Sequence, residues 1–286
     1  MSFNLLTSNR TAADFNPAVV ASEIEFAHRL PVIAAWIKDA DPDVIGLQEN
    51  EATAPSRLPL AALAPLLPDY TAVLPDLEVP LLVRTAAYEV VDADSLDIGQ
   101  GFWERRVAWA WLVHRRTGRE LLVANTHLDP FQRADLAAAR LAEVAAIVKV
   151  LDVIDPQRRT PAVLTGDLNI HSNGLRTAEP APLNLLARAG FRDSLRITAR
   201  DTSPVSHAAT LNAFGTEVDG AWRYRAISRS HLRIDYVFVG GEASVAGYQV
   251  VTGPGVHRID GQPYFAAGPL PSDHCPVMVD LAVAAT

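Results

Sequence analysis

Apolar stretches of this sequence repeatedly carry an acidic, amide or imidazole side chain at or near one end. Asn4 lies within residues 1–6, Gln48-Glu49 follows residues 43–47, and Asn125-Thr126-His127-Leu128-Asp129 closes a run that begins at Leu121. Asp167 and Asn169 follow residues 162–165, Asp235 sits inside residues 233–239, and Ser272-Asp273-His274-Cys275 opens a run that ends at Leu281. Carboxylates and imidazoles transfer protons and stabilise developing charge, while carboxylate and amide oxygens suit hard cations. Such groups are costly to bury unpaired, so their recurrence at segment ends points to convergence on one site. Each has an ordinary reading by itself. An Asp after a strand caps a turn or a helix, and a lone His in an apolar strand is a satisfied core residue. Glu49 alone reads as a solvated terminus, and Asp235 alone as a partner for a nearby Arg. The ordered set is what those separate readings do not explain.

The elements that would position these residues are short. Residues 43–47, 80–83, 107–113, 121–125, 162–165, 234–239 and 276–281 are apolar, rich in β-branched side chains and bounded by polar residues, which predicts strands. Residues 1–6 read as a further strand, entered without a lead-in. Helices are predicted over 31–39, with Pro31 in the first turn, over 133–151, where apolar residues recur at helical spacing, and over 182–189. Residues 55–80 are dense in proline, but no repeat, low-complexity block or Gly/Ser linker divides the chain, and residues 1–286 read as one domain. The run Val107-Ala108-Trp109-Ala110-Trp111-Leu112-Val113 is apolar on both faces, so its sheet must be covered on both sides, and two stacked sheets flanked by helices meet that need.

The series Asn4, Gln48-Glu49, Thr126-His127-Leu128, Gly166-Asp167-Leu168-Asn169, Ile234-Asp235-Tyr236 and Ser272-Asp273-His274-Cys275-Pro276 is similar to the ordered motifs of the endonuclease/exonuclease/phosphatase (DNase I-like) family. The similarity runs from Asn4 to Leu281. Gly101-Phe102-Trp103, followed by Arg105-Arg106-Val107-Ala108-Trp109, further resembles a bacterial branch of metal-dependent hydrolases. The resemblance implies an α/β fold, a four-layer sandwich of two stacked, mostly antiparallel sheets between helices, with the site at one end. It also implies metal-dependent hydrolysis of a phosphoester and gives roles to matching residues. Glu49 would be the main ligand of Mg²⁺ or Mn²⁺, with Asn4 and Asp273 close by. Asp167 would orient or deprotonate the attacking water, and Asn169 would hold a non-bridging phosphate oxygen. His274, positioned by Asp235, would contact the phosphate, and His127 would face the phosphate or the leaving group. These roles match what in-line hydrolysis demands: an aligned water, neutralised equatorial oxygens and a stabilised departing alkoxide. Of the remaining polar residues, Arg105 and Arg106 read as capping or solvated groups with phosphate binding as the alternative, His171 as rim, and His207 and Trp103 as pocket lining, with Trp103 equally suited to the core.

Bulk properties narrow the substrate. The chain has 25 Lys and Arg against 33 Asp and Glu, a formal charge of −8, with Lys38 and Lys149 the only lysines. No cluster of basic residues marks a nucleic-acid channel, so a small or lipid-linked phosphoester is favoured over DNA or RNA as substrate, with a nuclease as the alternative. A sphingomyelin-type phospholipase lacks an amphipathic or aromatic entry segment. A catalytically silent binding module of the same fold would have lost Glu49, Asp167 or His274, and all three are present. Cys275 is the only cysteine, which excludes an intrachain disulfide and a cysteine-rich zinc site. No apolar run reaches the roughly 20 residues that span a bilayer, and the expectation is a cytoplasmic protein, or a secreted one if a signal segment precedes Met1. No protein partner is inferred.

Overall fold

The computed structural model describes residues 1–10, 24–51, 58–100, 104–130, 134–171, 180–203, 209–212, 216–218, 221–223, 233–252, 256–259, 262–265 and 270–283. In chain order the elements are β1 (Ser2–Asn4), α1 (Phe26–Ala40), β2 (Val44–Gln48), α2 (Pro59–Leu63), β3 (Tyr70–Val73), β4 (Leu81–Arg84), β5 (Tyr88–Asp97), β6 (Arg106–His114) and β7 (Glu120–His127). Then come α3 (Ala134–Ile154), β8 (Ala162–Asp167), α4 (Pro180–Arg188), β9 (Arg192–Asp193), α5 (Ser194–Ile197), β10 (Thr216–Val218), β11 (Ala221–Arg223) and β12 (Asp235–Gly240). The chain closes with β13 (Ala243–Val250), β14 (Val256–Ile259), β15 (Gln262–Phe265) and β16 (Val277–Val283).

Two six-stranded sheets form the body, one ordered β13-β16-β1-β2-β4-β3 and the other β5-β6-β7-β8-β12-β9, with β10-β11 and β14-β15 as separate hairpins. Each large sheet holds a single parallel pair, β1 with β2 and β7 with β8, and its other pairings are antiparallel. A parallel pair needs a crossover, and α1 and α3 supply them. The crossovers make β1 and β2 finish together and β7 and β8 finish together, and the contact of Asn4 with Asp167 at 3.1 Å puts all four at one end of the sandwich. Because β12 runs antiparallel to β8 with Asp235 opposite Asp167, β12 begins at that end. Val277 lies opposite Ser2 in the antiparallel pair of β16 and β1, which brings the residues before β16 there too.

Side-chain alternation assigns the layers. Leu81, Val83, Leu112, Leu121, Val123, Val163, Val237, Val239, Val250 and Val277 from both sheets form the central core. Leu122, Ala124, Leu164 and Phe238 point outward onto Val144, Ile147 and Leu151 of α3 and Leu186 of α4. Phe3, Ile45, Leu47 and Leu82 on the other sheet face Ile33 and Ile37 of α1 and Leu60 and Leu63 of α2. The result is the four-layer α/β sandwich expected from the sequence.

Two expectations need correction. The first helix starts at Phe26, not at Pro31, which lies inside it. As the sixth residue of the helix it stands past the first turn, so the ladder forgoes the one bond its N–H would have made to Ala27 O. The edge strand β5 was not anticipated, because Glu89, Asp92, Asp94 and Asp97 break any apolar pattern. Charge along an unpaired edge deters pairing with other chains.

Candidate active site

The alternation that fills the central core with Val and Leu turns polar at the end where the strands finish. Ser2 and Asn4 of β1, Gln48 of β2, Asn125 of β7, Thr165 and Asp167 of β8 and Asp235 of β12 are all buried there. Asn125 ties the two sheets together. Its Nδ2 donates to Leu47 O (2.6 Å) and Pro80 O (3.0 Å), while its Oδ1 accepts from Gln48 Nε2 (2.7 Å) and Thr165 Oγ1 (3.0 Å). Gly46 permits this approach, since a Cβ there would lie 2.1 Å from Thr165 Oγ1 and 2.5 Å from Asn125 Oδ1.

Above that bracket, Asp167 Oδ2 is the hub. Asn4 Nδ2 donates to it at 3.1 Å and also to Glu49 Oε1 at 3.0 Å, while Asn4 Oδ1 is fixed by the Leu6 N–H at 2.9 Å. The Nε2 atoms of His127 and His274 face the same oxygen at 3.6 and 3.7 Å. His274 Nδ1 contacts Asp235 Oδ2 at 2.9 Å, and His127 Nδ1 contacts Glu78 Oε1 at 2.6 Å. Each ring thus has a carboxylate on its far nitrogen, which fixes the Nδ1–H tautomer and aims Nε2 at the hub. Asp273 Oδ1 lies 4.0 Å from His274 Nε2. Asn169 sits in the turn after β8, its N–H donating to Asp167 Oδ1 (2.9 Å) and its Nδ2 to Leu128 O (3.0 Å).

Backbone strain gathers here. Leu6, Glu49 and Asn169, which follow β1, β2 and β8, have φ of 54°, 60° and 51°. A left-handed conformation is unfavourable for Leu and Glu and costs about 1 kcal/mol or more each. It turns the Glu49 carboxylate back onto Asn4 and onto the Thr7 N–H (3.0 Å), while the Glu49 N–H is held by Glu78 Oε1 (2.9 Å).

The electrostatics follow from crowding. Burial raises the Asp167 carboxyl to about 6, with the Asp235 charge pushing the same way against both imidazoles. Burial likewise raises Asp273, with Glu49 adding to it and His274 opposing. For Glu49 burial is outweighed by His127, the Thr7 N–H, His274 and Asn4, and its pKa falls. Burial works against protonation of the imidazoles, yet Asp235, Asp273 and Asp167 lift His274 well above its ordinary value. His127 is raised by Glu78 against burial and against Arg105.

The structure brings together all eight residues singled out above: Asn4, Glu49, His127, Asp167, Asn169, Asp235, Asp273 and His274. His171 is half-buried just beyond Asn169, and Trp103 and His207 lie outside the described residues. Arg105 departs from expectation. It is buried, with Nη1 3.3 Å from His127 Nδ1 and Nε 3.4 Å from Asp129 Oδ1, so it is neither a solvated nor a capping group. Arg106 donates from Nε to Ser95 Oγ on the neighbouring strand at 3.2 Å. Glu78 was missed. It lies in the proline-dense stretch without a strand-end signature, and only the antiparallel register of β2 and β4 places it beside Glu49. The one sequence signal is an acid two residues before Pro80, where the predicted strand 80–83 begins.

A divalent cation fits this donor set. Glu49, Asp167 and Asp273 supply carboxylate oxygens with no thiolate, Asn4 orients two of them through Nδ2, and the burial that raises Asp167 and Asp273 makes their charge one that a cation would help to hold. Asp167, Asp235 and His274 also offer ligand atoms within 4.8 Å of one another, a grouping that could hold a metal ion. There, Asp235 Oδ2 and His274 Nδ1 are already engaged with each other.

Several solved structures share the whole fold. A mannosyl-6-phosphatase of Bacteroides thetaiotaomicron VPI-5482 superposes with a TM-score of 0.72 at 21% identity, covering 98% of each chain. An endonuclease/exonuclease/phosphatase protein from Bacteroides vulgatus gives a TM-score of 0.72 at 22% identity, over 99% of this chain and 97% of that one. TDP2 of D. rerio, complexed with a single-strand DNA product, gives 0.65 at 14% identity, over 99% and 97%. No curated protein matches by sequence. The family model described as Endonuclease/Exonuclease/phosphatase family matches residues 1–274, and with nearly the whole chain covered, this protein belongs to that family of hydrolases, which includes phosphatases and nucleases.

Proposed function

We propose that the chain is a divalent-metal-dependent phosphoester hydrolase, a phosphodiesterase or phosphatase, that directs a water in line at phosphorus. The observation that carries this reading is the pair of carboxylate-bound imidazoles whose Nε2 atoms both face Asp167 Oδ2, at 3.6 and 3.7 Å. Glu49 would hold Mg²⁺ or Mn²⁺ with Asn4 and Asp273. Bound there, the cation supplies charge neutralisation at the phosphate and at the leaving oxygen. Asp167, its carboxyl pushed up to about 6, is suited to orient the attacking water and take its proton near neutral pH. His274, kept protonated by Asp235, donates from Nε2 to a phosphate oxygen. His127, its pKa raised by Glu78 against burial and Arg105, is placed to donate to a second phosphate oxygen or to the departing alkoxide. Asn169 enters from the turn after β8, where its amide can meet a non-bridging oxygen.

The −8 charge and the likeness to a mannosyl-6-phosphatase support a small substrate over a polyanionic one, with a lipid-linked phosphoester as a further arm of the assay. Among the described residues no helix is long and apolar enough to cross a membrane. The second reading, a nuclease, is favoured by the likeness to a TDP2 bound to a DNA product. Purified protein should be assayed with Mg²⁺ or Mn²⁺ against phenyl monophosphate, bis-phenyl phosphate, single-stranded DNA, RNA and sphingomyelin. Turnover of the first two that chelator abolishes and metal restores is the expected result. Full turnover in chelator would remove the metal, and exclusive cleavage of a polynucleotide would put the nuclease first.

A further inference from the structure

Arg29, in the first turn of α1, is wholly buried and takes no part in the chemistry above. Its guanidinium is satisfied by main-chain carbonyls. Nε donates to Ile24 O (2.7 Å), Nη1 to Leu5 O (2.6 Å) and Pro271 O (3.0 Å), and Nη2 to Leu6 O (2.9 Å) and Thr7 O (3.5 Å). No carboxylate among the described residues forms an ion pair with it. Burying an arginine whose hydrogen-bond partners are all main-chain carbonyls is expensive, so its value must lie in what the fork joins. One acceptor set, residues 5–7, follows Asn4 directly and ends at Thr7, whose N–H holds Glu49 Oε2 at 3.0 Å. The other acceptor, Pro271, leads within two residues to Asp273, and between them Ser272 Oγ contacts Asp273 Oδ1 at 3.3 Å and the His274 N–H at 3.1 Å. The segments share no strand pairing at these residues, and the guanidinium bonds to both.

Resting on the reading in which Glu49, Asn4 and Asp273 hold a divalent cation, we propose that Arg29 is a positioning residue that sets the cation affinity of that site by fixing the 5–7 and 271–273 backbones relative to each other. Arg29 exerts two opposing effects. Its fork holds the ligands at one spacing, which favours the cation. Its charge, close enough to Asp273 and Glu49 for both to raise its own pKa against the burial that brings it down to about 10, disfavours a second cation nearby. The two are separable. Arg29→Lys keeps the charge but cannot reproduce a planar fork with this set of acceptors, whereas Arg29→Met loses both.

The test is calorimetric titration of the full chain with Mn²⁺ and with Mg²⁺, wild type against both variants, with a thermal melt to verify folding. Loss of a partner that orients metal ligands characteristically weakens binding by about 10- to 100-fold, and that loss is expected in both variants. A folded variant with wild-type affinity would overturn the inference, as would tighter binding by Arg29→Met, which would make charge rather than geometry the dominant effect. Should neither variant fold, the wild type carries the test by nuclear magnetic resonance. The Arg29 Nε–H signal is expected to move on addition of Mg²⁺ with the midpoint of binding, and an unmoved signal rejects the link. No cation binding by the wild type would remove the metal reading and this inference with it. Wild-type binding with unchanged variants would remove this inference alone.

Discussion

His274 and His127 approach the same oxygen of Asp167, but what stands behind each ring differs. Behind His274 is Asp235 on the first residue of β12, buried among strands, its N–H and that of Ile234 both donating to Thr210 Oγ1 at 3.1 and 3.0 Å. That support is neutral and built on sheet. Behind His127 is Glu78, on the loop before β4, which also serves the Glu49 N–H, and beyond it lie Arg105, Asp129, Glu143 and Arg140, all four buried. That support is charged and built on loop and helix. The contrast bears on why His274 is lifted further: Asp235, Asp273 and Asp167 all raise it, whereas at His127 Arg105 opposes Glu78. Two rings in one site are therefore tuned apart by the charges that surround each, the backing among them.

The largest expected effect tests the strand-held ring. Asp235→Asn is nearly isosteric, so folding should persist, but the ring loses both its tautomer and its positive charge. Other carboxylate-oriented imidazoles suggest a fall in kcat of about 10² to 10⁴. A double-mutant cycle with His274→Ala measures whether the two act as a unit. If the double mutant is slower than His274→Ala by the full factor that Asp235→Asn shows alone, the pair acts independently and the dyad is wrong.

Glu78→Gln makes the same change on the loop-held side. A smaller loss in kcat, about 10²-fold and so at the low end of what a positioned acid or base contributes, is expected because Arg105 already opposes Glu78 at His127 and still borders the ring. Glu78→Ala, which also removes the acceptor of the Glu49 N–H, should in addition raise the metal concentration for half activity, a change not expected of Asp235→Asn. Equal defects in Glu78→Gln and Asp235→Asn, with an unchanged metal requirement in Glu78→Ala, would erase the distinction between the two sides.

The same contrast governs what can be read from sequence. Asn4, Gln48, Asp167 and Asp235 were legible because a two-residue alternation sets them in a buried, otherwise apolar layer, where a polar side chain needs a reason. The parallel crossovers through α1 and α3 then bring their strand ends together. Glu78 was not legible, since its neighbours Asp76 and Leu77 are ordinary loop residues and its place depends on the pairing of β2 with β4. Arg105 looked like a surface cation because its partner Asp129 is 24 residues away and meets it only through the pairing of β6 with β7. Arg29 lies before the proline that was taken to open the first helix, and with that boundary misplaced its inward direction could not be seen.

The smallest expected effect concerns the charged backing itself, through Glu143 on α3. Its Oε2 accepts from the Asp129 N–H at 3.2 Å and the Gln100 N–H also bonds to the carboxylate, while among the described residues Asp129 Oδ2 has no hydrogen-bond partner. Burial pushes the Glu143 carboxyl up from 4.5 to about 7, the Asp129 charge adding to this against the Asp129 N–H and Arg105. A carboxyl whose folded pKa lies above its unfolded one binds its proton more tightly in the native state. It therefore contributes stability that is complete below about 4.5 and lost as pH rises through about 7. Glu143→Gln imitates the protonated form, retains an acceptor for Asp129 and removes the titration. Between pH 5 and pH 8 the wild type should lose about 1–3 kcal/mol of stability that the variant keeps, while kcat at pH 6 changes no more than a few-fold. Denaturant unfolding of both proteins across that range measures the difference. Parallel stability profiles would mean that Glu143 is ionised throughout, and the charged cluster behind His127 would then be held together by Arg105 and Arg140 without a proton.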